Sequence, residues 1–141
     1  MKAYEVNTKT AFLCAKAVAP AMKARGKGSI INIGSISGRG TKKERADMAA
    51  YGSAKAAVMN LTVHMAHQWG PQIRVNCIAP GIIDTPRPAG TNRPEVSLDA
   101  VKKIALGRAG TADEVAGVAL FLASDGASFV SGAIIDVNGG E

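Results

Sequence analysis

The stretch that decides the fold is Gly28-Ser29-Ile30-Ile31-Asn32-Ile33-Gly34, in which a short β-branched run lies between two glycines. A continuous apolar run of this length is typical of a strand buried on both faces, as in a parallel sheet. Similar runs occupy residues 73–78 (Ile-Arg-Val-Asn-Cys-Ile) and 133–137 (Ala-Ile-Ile-Asp-Val), and a glycine-containing turn follows each. The sequence therefore predicts three parallel strands that lie side by side in chain order.

Two long helical segments precede the first and second of these strands. Residues 3–25 are rich in Ala, Lys and Met and end at a glycine stop signal. Pro20 lies inside this segment and predicts a kink or a local break, because proline removes a backbone donor. Residues 49–69 form the second predicted helix, which ends at a Gly-Pro pair.

A third helix is predicted over residues 111–123, before the last strand. Thr111 is a good N-cap residue, and Glu114 three positions later completes a capping box. Glycine, proline and polar residues dominate the remaining segments. These predict loops over 34–47 and 84–98, with a short helix over 98–105.

The alternation of helices and buried strands predicts an α/β layered fold with right-handed crossovers. The run at 29–33 would form one edge of this sheet, although its composition is that of an interior strand. An apolar edge strand exposes unpaired backbone groups. We therefore expect residues 1–141 to be a single partial domain that lacks an N-terminal part.

The composition limits the class of protein. Residues with apolar side chains make up 47% of the 141 residues and charged residues 20%, which is typical of a globular domain. No apolar run reaches the roughly 18 residues that a membrane span requires. The first residues contain no apolar signal-peptide core. We expect a cytoplasmic protein that does not associate with membranes.

The net charge of +6 raises the question of nucleic-acid binding. The lysines at 2, 9, 16 and 23 recur every seven residues, which is typical of a solvated stripe along a helix. The cluster at 41–45 is short and contains Glu44. This distribution does not favour a nucleic-acid partner.

The two cysteines and two histidines do not form a metal site by spacing. Cys14 and Cys77 lie in apolar contexts and are predicted to be free, buried thiols. His64 and His67 are three residues apart on a predicted helix, but no acidic or cysteine ligand lies near them in sequence. We predict no metal.

Tyr51 and Lys55 carry the first chemical signal. They are four residues apart at the start of a predicted helix, so both project from one face. A phenol has a pKa near 10 and is a poor acid or base at neutral pH. An ammonium group at about 5 Å, in an effective dielectric of about 20, stabilises a phenolate by roughly 3 kcal/mol. The pair is therefore suited to general acid–base chemistry.

Two loops at strand ends place further polar groups beside this pair. Ser35 directly follows the strand at 29–33, and the segment 80–85 (Pro-Gly-Ile-Ile-Asp-Thr) follows the strand at 73–78. Ligands bind at the carboxyl ends of strands in open parallel sheets. The Ser35 hydroxyl could hold a carbonyl or alkoxide oxygen beside the tyrosine.

Several segments in the same order resemble classical short-chain dehydrogenases/reductases across essentially the whole chain. Two segments resemble the strand and the active-site helix of that family: Asn32-Ile33-Gly34-Ser35-Ile36-Ser37-Gly38 and Tyr51-Gly52-Ser53-Ala54-Lys55. The later segments that resemble the family are Ile73 to Gly81, Arg108-Ala109-Gly110, Glu114-Val115-Ala116, Phe121 to Ser124, Gly132 and Asn138-Gly139-Gly140. The resemblance implies the C-terminal part of a Rossmann-like doubly wound parallel sheet.

The resemblance implies a catalytic tetrad. Tyr51 would exchange a proton with the substrate oxygen, and Lys55 would stabilise the Tyr51 phenolate and bind the nicotinamide ribose. Ser35 would orient the substrate oxygen. Asn7 matches the helix asparagine that holds a water in the proton relay to Lys55.

The same resemblance implies the ligands and partners. The cofactor would be NAD or NADP, bound by Tyr51, Lys55 and the turn Pro80-Gly81, with Ile83 at the carboxamide and Thr85 at the phosphates. The substrate would be a small alcohol or ketone. The two long helices imply a homo-oligomer, a dimer or tetramer.

The chain departs from the family pattern in two places. The glycine-rich turn that binds the cofactor's pyrophosphate should precede this segment, and the stretch 34–40 does not replace it because no helix follows. The loop between Ser35 and Tyr51 is also longer than usual, with an excess at 42–47. The alternative function is a non-catalytic remnant that acts only through its oligomerisation helices.

Overall fold

The computed structural model describes residues 2–40, 48–85 and 96–141. Its main sheet has three parallel strands: β1 (Gly28–Ile33), β2 (Ile73–Pro80) and β5 (Ile134–Val137). Their spatial order is β1-β2-β5, so the predicted parallel sheet in chain order is confirmed. The register pairs Ile33 with Ile78 and Pro80 with Val137, which brings the carboxyl ends of all three strands to one edge.

The long helices match the prediction, with differences inside the first. α1 (Lys2–Tyr4) leads through a π-helical segment, Glu5–Lys9, into α2 (Thr10–Ala24). The predicted break at Pro20 is wrong, because α2 is continuous through this residue. Pro20 and Lys16 are both exposed, so water can hydrate the backbone carbonyl that loses its partner.

The remaining helices are α3 (Ala49–Trp69), α4 (Leu98–Val101) and α5 (Ala112–Ala123). α4 is shorter than the predicted segment 98–105, because turns follow it from Lys102. The capping box of α5 is confirmed: Thr111 Oγ1 accepts from the Glu114 amide, and the Thr111 amide donates to the Glu114 carboxylate.

The two faces of the sheet are covered by different helices. On one face, Ala15 and Ala19 of α2 and Met65 of α3 pack with Ile73 and Val75 of β2. On the other face, Leu122 of α5 packs with Ile78 of β2, in a cluster that includes partly buried Ile31. β2 is therefore the buried centre of the molecule.

A second, two-stranded sheet was not predicted. β3 (Ile83–Asp84) pairs in parallel with β4 (Gly110–Thr111). Each strand has only two residues, too few to show an alternating pattern. The pairing fixes the segment that follows β2 against the start of α5.

The outer edge of β1 has no strand partner within the described residues, as the sequence predicted. The two cysteines differ from each other: Cys77 is buried in β2, whereas Cys14 is exposed on α2, so the prediction of two buried thiols is wrong for Cys14. Cys14 lies on the side of α2 that faces away from its buried residues, Ala15 and Ala19.

No helix in the described ranges is long and apolar enough to cross a bilayer. Within the same ranges, no group of three or more His, Cys, Asp or Glu side chains comes together in a way that could hold a metal ion.

Candidate active site

Ser35 is buried at the carboxyl end of β1, where the chain turns into a short 3₁₀ segment, Ile36–Gly38. Its Oγ accepts a hydrogen bond from the Ser37 amide at 3.2 Å. A hydroxyl that accepts from the backbone keeps its own proton available for donation. Ser35 can therefore donate a hydrogen bond to an oxygen atom of a bound ligand.

Tyr51 and Lys55 lie on consecutive turns at the start of α3. The Lys55 ammonium is 5.7 Å from the centroid of the Tyr51 ring, within cation–π range. Lys55 Nζ also donates to the Ile33 carbonyl at 2.8 Å, which ties the helix to the end of β1. An ammonium group has three donors, so this bond leaves capacity for a ligand.

The environment of Lys55 is partly desolvated. Burial lowers the pKa of Lys55 from its usual value. The neighbouring Cys77 thiol is buried beneath the site, and burial raises its pKa. Cys77 is therefore a neutral thiol near pH 7 and supplies no negative charge to Lys55.

The loop after β2 completes a cleft at the carboxyl edge of the sheet. This cleft has a volume of about 340 Å³. It brings together seven of the eight residues that the sequence singled out as site residues, and Asn7 is the exception. The lining residues are Ile33, Gly34, Ser35, Tyr51, Lys55, Pro80, Gly81, Ile83, Thr85, Ala112 and Val115.

Asn7 lies in the π-helical segment Glu5–Lys9. Its Nδ2 donates to the Ala3 carbonyl at 2.8 Å, and Asn7 does not line the cleft. The next residue, Thr8, donates to the Ala54 carbonyl at 3.0 Å. The segment that carries Asn7 is thus fixed to α3 one residue before Lys55.

Four residues near the site were not predicted. Ala112 and Val115 line the cleft from the first turn of α5. Arg39 donates to Asp136 at 3.0 Å and to the Ile134 carbonyl at 2.9 Å, which joins the Ser35 turn to β5. These contacts join residues far apart in the chain, and no sequence spacing signals them. The excess residues 42–47 and residues 86–95 of the predicted loop 84–98 lie outside the described residues.

Arg108 and Glu114 form an ion pair at the start of α5, beside the cleft. The two guanidinium nitrogens bind both carboxylate oxygens, at 2.9 and 2.6 Å. Together with the Thr111 amide, Arg108 lowers the pKa of Glu114 to about 2. The pair sits next to β4 and so supports the β3–β4 pairing.

We expect Glu114→Gln to remove a pH-dependent part of the stability. Because the folded pKa is depressed, the ionised carboxylate contributes fully above its unfolded pKa, near 4.3. That contribution is lost as pH falls through about 2. The difference in melting temperature between the natural protein and the variant should therefore shrink between about pH 4.5 and pH 2.

Asp113→Asn is the control, since Asp113 shares the first turn of α5 but forms no ion pair with any residue in the described segments. Thermal melts over the pH series measure both variants. A stability difference for Glu114→Gln that does not change with pH would contradict the prediction.

Comparisons with known proteins cover nearly the whole chain. Residues 1–141 match the family model described as Enoyl-(Acyl carrier protein) reductase. The chain is 45% identical over 138 residues to trans-4-hydroxycyclohexanecarboxylate dehydrogenase of Sinomonas cyclohexanicum, covering 97% of this chain and 49% of that protein. It is 42% identical over 138 residues to galactitol 2-dehydrogenase (L-tagatose-forming) of Cereibacter sphaeroides, covering 96% and 54%.

Solved structures give the same result. A 3-oxoacyl-[acyl-carrier protein] reductase with bound NAD from Brucella melitensis matches with a TM-score of 0.81 and 39% identity, over 92% of this chain and 47% of that one. A short-chain type dehydrogenase/reductase from Mycobacterium ulcerans matches with a TM-score of 0.85 and 37% identity, over 97% and 50%. These matches confirm the predicted Rossmann-like fold class. The chain spans about half the length of the relatives it matches.

Proposed function

Because the chain belongs to the short-chain dehydrogenase/reductase family, we propose that it forms the catalytic part of an NAD(P)-dependent oxidoreductase that interconverts an alcohol and a ketone. One observation carries the proposal. Ser35, Tyr51 and Lys55 come from two separate elements and line the same cleft as the turn after β2.

The roles of the side chains follow from their chemistry. Tyr51 gives a proton to the ketone oxygen, or takes one from the alcohol in the reverse direction. Lys55 places a positive charge next to the Tyr51 ring and stabilises the phenolate form. Ser35 donates a hydrogen bond to the substrate oxygen, which orients it and stabilises developing negative charge.

The cleft contains groups that suit the nicotinamide half of a dinucleotide. Lys55 can donate to ribose hydroxyls, and Ile83 and Thr85 line the same cleft. When bound, the cofactor would supply or accept a hydride. A relative with bound NAD supports this class of cofactor without distinguishing NAD from NADP.

Asn7 is proposed to support the proton path rather than to contact the substrate. Its segment is fastened to α3 through Thr8, close to Lys55. An asparagine there can hold a water that returns protons to Lys55.

The names of the relatives support only a broad substrate class. One is a dehydrogenase of a hydroxycyclohexanecarboxylate, one of a sugar alcohol, and one a reductase of 3-oxoacyl groups on acyl carrier protein. We propose a small hydroxy or keto compound as the substrate.

A homo-oligomer, dimer or tetramer, is proposed on the basis of exposed apolar side chains. Phe12, Leu13 and Val18 of α2 are all more than two-fifths exposed. Exposed apolar side chains of this size favour burial against another subunit. Size-exclusion chromatography with light scattering tests this proposal.

The test of the proposed function is turnover by the complete natural protein that contains this chain. Oxidation of NADH and NADPH is followed with a panel of small ketones, and the reverse reaction with the matching alcohols. The alternative, a remnant that acts only through its oligomerisation helices, predicts assembly without any saturable binding of either cofactor. Titration of NADH and NADPH separates the two.

We expect Lys55→Ala to damage both turnover and cofactor binding. Hydrogen bonds to a charged group are worth about 1.5–3 kcal/mol, so cofactor affinity should fall by roughly 10- to 100-fold. The turnover number should fall as well, because the stabilising charge beside Tyr51 is lost. Stopped-flow turnover and calorimetric titration measure the two effects.

Lys102→Ala is the matched control. Lys102 forms an exposed ion pair with Asp99, away from the cleft, so its loss should change neither quantity. Normal cofactor affinity in Lys55→Ala would contradict the ribose-binding role of Lys55.

A further inference from the structure

The Ser35 turn, residues 35–39, packs directly on the backbone of α3. The contact involves the helical turn that runs from Tyr51 to Ala56 and carries both Tyr51 and Lys55. Gly38, in the 3₁₀ segment that follows Ser35, lies against this part of the helix backbone.

Gly38 has no room for a side chain. A Cβ atom built there would lie 2.7 Å from the Ala56 nitrogen and 2.9 Å from the Lys55 carbonyl carbon. Both are backbone atoms inside a 21-residue helix, which cannot move aside in the way that a flexible side chain can. A larger residue at 38 would therefore displace the turn rather than the helix.

Two glycines of the helices provide comparisons for Gly38. A Cβ at Gly52, on the facing side of the same contact, would lie 2.9 Å from the Ser37 carbonyl oxygen. A Cβ at Gly117, on the exposed surface of α5, would meet nothing within 4 Å. Gly38 is the position at which the turn meets rigid helix backbone.

The turn is held at both ends, so a displacement is concentrated near Ser35. Before the turn, the Gly34 amide donates to the Ile78 carbonyl at 2.7 Å. After it, Arg39 binds Asp136 and the Ile134 carbonyl of β5. Between these anchors, the Ser37 amide orients the Ser35 hydroxyl.

We propose that Gly38 is a positioning residue: its lack of a side chain seats the Ser35 turn on α3 and so fixes the Ser35 hydroxyl relative to Tyr51 and Lys55. The expected effect of Gly38 on catalysis rests on the proposed function. The contact itself is a property of the fold, and it can be tested separately.

The experiment compares Gly38→Ala with Gly117→Ala in the complete natural protein. A misplacement of about 1 Å can lower a rate by about 100-fold. We expect kcat of Gly38→Ala to fall by about that factor, with cofactor affinity unchanged, whereas Gly117→Ala keeps normal kcat. Activity is expressed per folded site, measured by cofactor titration.

A double-mutant cycle distinguishes positioning from general destabilisation. If Gly38 acts through Ser35, Gly38→Ala should add little to the loss already caused by Ser35→Ala. Equal losses in both backgrounds, or a normal kcat for Gly38→Ala, would overturn the proposal. If Gly38→Ala does not fold, Arg39→Gln replaces it, because that substitution removes the bonds to β5 without adding a clash. We expect Arg39→Gln to lower kcat several-fold, and this loss should disappear in the Ser35→Ala background.

Amide hydrogen exchange at Ser37 gives a readout that does not depend on activity. We expect faster exchange in Gly38→Ala or Arg39→Gln than in Gly117→Ala, because the bond to Ser35 Oγ is weakened. An inactive wild-type protein with this exchange pattern would refute the proposed function and leave the positioning contact standing. Unchanged exchange at Ser37 would refute the contact.

Discussion

Tyr51→Phe is expected to lower the turnover number of the complete natural protein by about 10²- to 10⁴-fold, the usual contribution of a positioned general acid–base. The substitution removes only the hydroxyl and keeps the ring that lies 5.7 Å from Lys55 Nζ. Lys55 should therefore keep its bond to the Ile33 carbonyl. Cofactor affinity should change by less than about threefold, which corresponds to well under 1.4 kcal/mol.

The control is Tyr4→Phe. Tyr4 is the only other tyrosine in the chain, and it lies in the first helical turn, outside the cleft. It should show normal turnover. Steady-state kinetics and cofactor titration with all three proteins separate chemistry from binding. If Tyr51→Phe kept most of the activity, the acid–base role of Tyr51 would be wrong.

The sheet could be predicted because its strands have a strong local signature. The run Ser29 to Ile33 is β-branched, short and bounded by glycine, and each of its two counterparts is short and followed by a glycine-containing turn. Such runs are typical of strands that are buried on both faces. The same local logic identified the cap of α5, where Thr111 and Glu114 are three residues apart. Each of these features is encoded within a few neighbouring residues.

Features that depend on tertiary contacts were not predicted. Two-residue strands such as β3 and β4 show no periodicity, and the π-helical segment Glu5–Lys9 has no sequence signal. The lost backbone donor at Pro20 predicts a kink or a local break, but α2 is continuous through this residue, whose exposed position leaves the unpartnered carbonyl open to hydration. The local sequence does not specify this exposure.

Some residues of the candidate site could be predicted from local sequence, whereas others depend on tertiary contacts. Ser35, Tyr51 and Lys55 could be identified because strand ends and helical spacing bring such residues to one edge of a parallel sheet. Arg39 could not, since its partner Asp136 is 97 residues away. The role of Gly38 likewise depends on how closely two backbones approach, a distance that only the structure gives.

The 141-residue chain, produced alone, is expected to be poorly stable and to bind NADH and NADPH weakly. The outer edge of β1 has no strand partner within the described residues, and the Ile33 side chain at its end is 48% exposed. An unpaired apolar edge favours association with other chains. Each 200 Å² of apolar surface left in water forfeits about 5 kcal/mol, against a typical net stability of about 5–15 kcal/mol.

Cofactor binding should be weak for a separate reason. The sequence contains no G-x-G-x-x-G turn, and a dinucleotide's pyrophosphate depends on such a turn at a helix N-terminus. Only contacts to the nicotinamide half would remain, through Lys55 and the wall formed by Ile83 and Thr85. We expect dissociation constants above about 1 mM, or less than about 4 kcal/mol of binding free energy. Calorimetric titration measures the binding of both cofactors to the chain, and the NAD-binding Brucella melitensis reductase is the positive control. A thermal melt measures the stability of the chain. A cooperative melt together with tight, saturable cofactor binding would contradict the prediction.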